Sequence, residues 1–261
     1  MSSTVVRSFR WASMAGCLAL GIGASQAAVA AEAELRIGFL APTTGIFAQI
    51  GRDMTNGFQM YLDEVGGDFA GAKVKFILED EEGKPPVGVR KVEKLIRQDQ
   101  VHMFIGGLLA STGYALAPVS TRLKTVYVPS IPAADDLTQR DSAKFPYVVR
   151  TGWTSSQPSH PFGEWACEQG YKRIATIAAD YAFGHEIVGG FQKAFEGCGG
   201  RIIQKIWPPL GTIDFGPFIP TLKQDADAIF TVMVGPMSLQ FPKQLASAGA
   251  DEQVKSSYLG I

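Results

Sequence analysis

The sequence has few of the residues that catalysis and metal binding use most. It contains three cysteines and three histidines among 261 residues. We find no CxxC pair, no cysteine–histidine ligand set, no G-x-S-x-G, no H-E-x-x-H and no G-x-G-x-x-G. The sequence therefore predicts a protein that is not an enzyme and that uses no metal and no cofactor.

Charge is scarce and balanced. Charged residues make up 19% of the chain, and the formal net charge is −1. Binding of nucleic acid requires a basic patch, and no basic run stands out, so we expect no nucleic-acid partner. The hydrophobic fraction of 46% is ordinary for a globular protein and leaves room for one large or two medium domains.

The N-terminal apolar stretch is too short for a stable membrane span. Arg7 and Arg10 precede an apolar core that runs from about residue 11 to residue 22, and an A-x-A pattern follows at 28–30. This order is typical of a cleaved secretory signal peptide. We therefore predict that residues 1–30 are removed and that the protein is exported to the periplasm.

Two cysteines remain after the predicted signal peptide. Cys167 and Cys198 each lie on or just after a predicted helix, and the two helices flank one strand. An oxidising compartment permits one disulfide between them. Two unpaired buried thiols are the alternative.

Strand and helix patterns alternate along the rest of the chain. Apolar runs predict strands that are buried on both faces, as in a parallel sheet, at 35–40, 73–80, 103–106, 125–130, 147–150, 173–180, 201–207 and 228–234. Helical periodicity between these runs predicts covering helices. The sequence therefore predicts an α/β fold with doubly wound parallel sheets.

A polar, proline-dotted stretch between about 135 and 155 interrupts this alternation. It predicts two α/β lobes joined by a hinge, with boundaries at 31–152 and 153–261. One larger domain with a long surface loop is the alternative.

The stretch after the strand at 103–106 predicts an anion site. Gly106 and Gly107 allow a tight backbone turn, and Ala110, Ser111 and Thr112 then begin a helix. Ligands of open α/β sheets bind beyond the carboxyl ends of the strands, and a helix N-terminus holds carboxylates or phosphates. Capping of the helix by Ser111 without any ligand is the alternative.

Six segments in the same order carry a family resemblance. The chain resembles the periplasmic branched-chain amino acid binding proteins, the solute receptors of ABC importers with the type I periplasmic-binding fold. The segments are IGFLAPTTGIFAQIGRDMTNGFQMYLDEVGG (37–67), FIGGLLAST (104–112), DDLTQR (135–140), RTGWTSSQ (150–157), DYAFG (180–184) and LGTIDFGPFIPTLKQDADAIF (210–230).

The resemblance implies a monomeric two-lobed receptor that closes on a small carboxylate by hinge motion and delivers it to an ABC permease in the inner membrane. Family members continue beyond this chain's last residue. The resemblance thus implies an incomplete second lobe, and we expect poor solubility or no ligand binding. A ligand-sensing regulatory receptor of the same fold is the alternative function, and a secreted α/β hydrolase is a weaker one.

The resemblance also places cleft residues in the first lobe. The carboxylate-binding loop of the family falls on Ala110, Ser111 and Thr112. The ligand wall of the first lobe falls on Phe47 and Gln49.

Further family positions depart from the amino-acid-binding pattern. Ala133 stands where those members have a threonine, and Phe183 stands where they have a tyrosine. Val234 and Gly235 occupy a strand end that often carries tyrosine. Because these departures make the pocket less polar, we expect an aromatic or aliphatic acid to fit at least as well as a branched-chain amino acid.

Two residues near the predicted hinge are possible ligand contacts. Trp153 either stacks on an aromatic ligand or fills the hinge, and His160 either reaches the cleft or lies at the surface. The acidic run at 80–82 suggests a catalytic or metal cluster, but its position between a strand and a proline turn favours a solvated loop.

Overall fold

The structure, a computed structural model, describes residues 33–138, 143–249 and the backbone of 255–260. The predicted signal peptide lies outside these ranges. None of the described helices combines the length and apolar character that a membrane crossing requires.

The first lobe is built on a five-stranded sheet with the strand order β2-β3-β1-β4-β5. Its strands are β1 (Glu34–Ala41), β2 (Asp68–Phe69), β3 (Ala72–Asp80), β4 (Met103–Gly106) and β5 (Val126–Val128). The short edge strand β2 is antiparallel to β3, and the other pairs are parallel. The central strand β1 ends in buried residues because helices cover both faces of the sheet.

Three helices cover this sheet: α1 (Ala48–Glu64), α2 (Pro85–Arg97) and α3 (Ala110–Leu123). Helices α2 and α3 pack over β1 and β4 around Leu40, Leu95, Phe104 and Leu116, all with no exposed surface. Two prolines start α2, where the missing N–H groups cost no intrahelical hydrogen bond.

The second lobe is built on a parallel sheet with the order β7-β6-β8-β9. Its strands and helices are α4 (Ser159–Glu168), β6 (Arg173–Ala178), α5 (Ala182–Gly197), β7 (Arg201–Ile206), β8 (Ala228–Met233), α6 (Met237–Ser247) and β9 (Lys255–Gly260). All six residues of β8 are buried. Phe191 and Phe230 stack on the face covered by α5, and Phe215 and Phe241 pack on the opposite face. The predicted α/β fold with parallel sheets in two lobes is therefore confirmed.

One predicted strand is wrong. The run at 147–150 makes a single bridge, between Val148 and Tyr127, rather than a strand. Pro146 has no N–H to extend the pairing, and Arg150 turns away to donate to the carbonyls of Pro132, Ala134 and Trp153.

A disulfide joins Cys167 in α4 to Cys198, the residue after α5, with 6.4 Å between their Cα atoms. Of the two alternatives left open by the sequence, the structure has the disulfide. It connects two helices that cover the same face of the second sheet.

Candidate functional site: an apolar cavity between the lobes

A cavity of about 220 Å³ lies between the two lobes. Its lining residues all follow carboxyl ends of strands or belong to the segment that connects the lobes. They are Phe47, Ile50, Leu108, Leu109, Ala110, Ile131, Ala133, Trp153, Tyr181, Phe183, Val234 and Gly235. Parallel strands of both sheets therefore end at this opening, the usual ligand position in α/β folds. We call it the interlobe cavity.

The first-lobe wall depends on a sharp backbone turn after β4. Gly106 has φ +103°, and a Cβ placed on it would lie 2.2 Å from the carbonyl oxygen of Leu40. Gly107 follows with φ +76° and donates its N–H to the same carbonyl at 2.8 Å. Only glycine fits this close approach, and the turn brings Leu108 to Ala110 onto the cavity.

Helix α3 begins at this wall without a side-chain cap. Leu109 is the N-cap residue and makes no side-chain hydrogen bond to the helix. The first N–H groups of a helix have no intrahelical acceptor, and in α3 they belong to Ala110, Ser111 and Thr112, of which Ala110 lines the cavity. The alternative in which Ser111 caps the helix is therefore not what the structure shows.

A second helix start faces the cavity from the other lobe. Tyr181 is the N-cap residue of α5, again with no side-chain cap, and Phe183 lies in the first turn. Helix N-termini carry partial positive charge, so the two helix starts together favour an anion in the cavity. Burial also raises the pKa of the Tyr181 hydroxyl well above its usual value, so this group stays neutral.

Aromatic rings form one side of the cavity. Trp153 meets Phe183 edge to face, with 5.8 Å between ring centroids, and Tyr181 lies 5.9 Å from Phe183. Of the two roles left open for Trp153, the structure places its ring on the cavity wall. Such a wall suits a flat, apolar ligand body.

Two carboxyl groups hold the first-lobe loops in place. Asp80 accepts the Thr43 N–H at 3.0 Å and the Thr44 hydroxyl at 2.6 Å, which fixes the chain leading to Phe47. Burial opposes ionisation of Asp80, but these hydrogen bonds outweigh it and lower its pKa. Glu81 is fully buried and accepts the Leu108 N–H at 2.7 Å.

The expectation that residues 80–82 form a solvated loop is therefore wrong for Glu81. Its side chain points inward because the Leu108 N–H, which the turn at 106–107 leaves without a sheet partner, needs an acceptor. Burial raises the pKa of Glu81 to about 7, against the opposing effects of the Leu108 N–H and the Thr112 hydroxyl. Sequence alone gave no sign of this inward orientation.

Seven of the predicted site residues line the interlobe cavity: Phe47, Ala110, Ala133, Trp153, Phe183, Val234 and Gly235. Four others lie elsewhere. Gln49 is exposed and donates to Asp53 at 2.9 Å. Ser111 is half-buried outside the lining, and the Thr112 side chain is buried beside Glu81.

His160 lines a different, polar cavity of about 380 Å³, together with Asp135, Ser156, Glu186 and Lys193.

Five residues that line the interlobe cavity were missed by the sequence analysis: Ile50, Leu108, Leu109, Ile131 and Tyr181. Each lies within three residues of a predicted position. Searching the whole loop after each strand end would therefore have identified them. No group of metal-binding side chains occurs among the described residues.

Comparisons with known proteins agree with this geometry. A family model of periplasmic binding proteins matches residues 34–260. A Leu/Ile/Val-binding protein homolog from Brucella melitensis is 30% identical over 237 residues, which are 89% of this chain and 59% of that protein. The chain thus spans about 59% of the length of this curated relative.

Solved structures give the same result. A solute-binding protein of an ABC transporter from Rhodopseudomonas palustris, in complex with 3,4-dihydroxybenzoic acid, superposes with a TM-score of 0.79 at 30% identity. The match covers 87% of this chain and 61% of that one. A second R. palustris protein, in complex with benzoate, gives a TM-score of 0.79 at 25% identity over 86% of this chain and 62% of its own. From its two parallel-sheet lobes, its interlobe cavity and these matches, the chain belongs to the periplasmic binding protein family.

Proposed function

We propose that this protein is the solute receptor of an ABC importer and that it binds a small carboxylate with an apolar body in the interlobe cavity. An aromatic or aliphatic acid is the preferred ligand, ahead of a branched-chain amino acid. The observation that carries the proposal is the pairing of two uncapped helix starts with a wall of apolar side chains. Membership of the periplasmic binding protein family supports a permease partner and a periplasmic location.

The helix starts supply the anion specificity. Charge-assisted hydrogen bonds contribute about 1.5–3 kcal/mol each, so two or three N–H groups from α3 and α5 dominate the recognition of one carboxylate. Burial of the ligand body adds about 25 cal/mol per Å² of apolar surface. Together, these hydrogen bonds and the apolar burial suffice to bind an acid that has no other polar group.

The same features disfavour an α-ammonium group. Partial positive charge at two helix starts opposes a cation in the cavity. Ala133 and Phe183 also lack the hydroxyl groups found at these positions in amino-acid-binding members. The benzoate ligands of the R. palustris proteins are compatible with this preference.

Calorimetric titration of the full chain with benzoate, benzamide, leucine and valine tests the proposal. We expect benzoate to bind at least tenfold more tightly than benzamide, which has the same shape without the charge. Leucine and valine should bind more weakly than benzoate. Equal affinity for leucine and benzoate would contradict the ligand class, and no binding of any of them would contradict the receptor function of this chain.

The same titration tests the expectation, drawn from the family resemblance, that this chain binds no ligand. Both walls of the cavity come from described residues, which supports binding by this chain as it stands. We also propose that residues 1–30 are a cleaved signal peptide and that the two lobes span 31–152 and 153–261. N-terminal sequencing of exported protein would show cleavage after the 28–30 pattern.

A further inference from the structure

A buried carboxyl group lies directly behind the first-lobe wall of the interlobe cavity. Glu81 follows β3, and its side chain has no exposed surface. Its Oε1 accepts the N–H of Leu108 at 2.7 Å, and Leu108, Leu109 and Ala110 line the cavity. The carboxyl group is thus bonded to the backbone segment that a bound anion would contact from the opposite side.

The second oxygen of Glu81 is buried next to Gly88 of α2. A Cβ placed on Gly88 of α2 would lie 3.4 Å from Oε2, and Oε2 itself is buried. The Thr112 hydroxyl lies beside the carboxyl group and is buried as well. A neutral carboxyl group can donate to this hydroxyl, whereas an ionised one can only accept.

Few charged groups act on this site. Asp80 precedes Glu81 and adds negative charge, which further raises the pKa of Glu81. From β5, the buried Tyr127 hydroxyl donates to the Gly106 carbonyl at 3.2 Å. Burial raises the pKa of Tyr127, and the charge of Glu81 raises it further. The Arg150 guanidinium lowers the pKa of Tyr127, against these two effects.

The sign of the titration follows from burial. The pKa of Glu81 is raised to about 7, so the neutral form predominates below pH 7 and is lost as pH rises above it. A carboxylate ligand at the α3 N-terminus adds a negative charge near Glu81. Like charges disfavour each other's ionised forms, so the ligand and the ionised Glu81 compete.

We propose that Glu81 is the positioning residue of the anion-binding wall: it fixes the backbone of residues 108–110 from behind, and the wall accepts an anionic ligand when the Glu81 carboxyl group is neutral. Above pH 7, ligand binding is then coupled to the uptake of up to one proton. This inference rests on the proposed function, because it needs a carboxylate in the cavity.

The expected change in the apparent Kd follows from the fraction of protein in which Glu81 is neutral. If only the neutral form binds, the apparent Kd rises about tenfold per pH unit above pH 7, or about thirtyfold from pH 6 to pH 8.5. The ligand does not titrate in this range, because carboxylic acids ionise near pH 4. The pH dependence therefore belongs to the protein.

Calorimetric titration of the full chain with benzoate between pH 6 and pH 8.5 tests the coupling. We expect wild-type affinity to fall at least fivefold over this range. Glu81→Gln keeps the acceptor for the Leu108 N–H and carries no charge. The affinity of this variant for benzoate should therefore change less than twofold between pH 6 and pH 8.5. The matched control is Glu82→Gln, since the Glu82 side chain pairs with Lys84 at the surface and should leave the wild-type pH profile intact.

Two results would overturn the coupling: a flat wild-type profile, or a Glu81→Gln profile with the wild-type slope. Hydrogen exchange of the Leu108 amide tests the positioning without ligand. Glu81→Ala should lose at least tenfold protection at this amide, and Glu81→Gln should keep it. If wild type binds no carboxylate, the proposed function and the coupling both fail, and the exchange result alone decides whether Glu81 positions the wall.

Discussion

Single residues at the interlobe cavity differ in how far the sequence revealed them. Gly106 and Gly107 were predicted to form a tight turn. The close approach to the Leu40 carbonyl explains the glycine at 106, and the positive φ of +76° favours glycine at 107. Glu81 looked like part of a solvated acidic run and is fully buried. The glycines act through their own backbone, whereas the burial of Glu81 depends on a loop that follows 27 residues later.

Trp153 provides the first prediction at this scale. Replacing it with alanine should weaken benzoate binding roughly two- to tenfold, because the edge-to-face wall with Phe183 is lost. The free energy of unfolding should change by less than about 1 kcal/mol, since the Trp153 side chain is 41% exposed. Calorimetry with benzoate and urea unfolding measure the two quantities.

Trp165 is the matched control. It is 38% exposed, stacks on Phe162 and does not line the cavity. Trp165→Ala should therefore leave benzoate affinity unchanged. Equal losses of affinity in both variants would remove Trp153 from the site.

Helices and strands were the most predictable elements. Seven of the eight predicted strands occur, because apolar runs between helical segments leave few alternatives in a parallel sheet. The eighth, at 147–150, makes one bridge only, and no local pattern reveals that Arg150 binds three loop carbonyls. The start of α3 at Ala110 was predicted correctly.

The disulfide between α4 and the end of α5 gives a prediction at the scale of elements. It closes a loop with a sequence separation of 31, and loop closure of this length stabilises a fold by about 3–4 kcal/mol. Cys167→Ser combined with Cys198→Ser should lose about this amount in urea unfolding under non-reducing conditions. Reductant should destabilise wild type and leave the double variant unchanged.

If the double variant and wild type unfold at the same urea concentration without reductant, the two thiols are not joined in solution. The alternative of two unpaired buried cysteines would then be correct.

At the scale of the whole molecule, a hydrogen bond connects the two lobes. Tyr114 of α3 donates to Glu186 of α5, and its hydroxyl accepts the Asp136 N–H at 3.1 Å. Burial and this bond to Glu186 raise the pKa of Tyr114, so the hydroxyl stays protonated. The contact joins the two helices whose N-termini face the interlobe cavity.

Tyr114→Phe removes this connection and should lower the free energy of unfolding by about 1–2 kcal/mol, because a hydrogen bond to a charged or partly buried carboxyl group is lost. Urea unfolding at pH 7 measures it. Tyr61→Phe is the control, since the Tyr61 ring is 50% exposed on α1, and it should change stability by less than about 0.5 kcal/mol. No difference between the two variants would show that the lobes are held together by other contacts.

The sequence by itself determined the α/β class, the parallel sheets and the strand ends that border the interlobe cavity, because periodicity and glycine placement act locally. The sequence and its family resemblance together placed seven lining residues, and only the tertiary structure decided the rest of the lining. Gln49, Ser111 and Thr112 were predicted to line the cavity and do not, whereas Leu108, Leu109 and Tyr181 line it without having been predicted. The Glu81 side chain is buried. The physical reason is that side-chain direction and burial depend on neighbours distant in sequence, whereas strand and helix patterns depend on neighbours a few residues away.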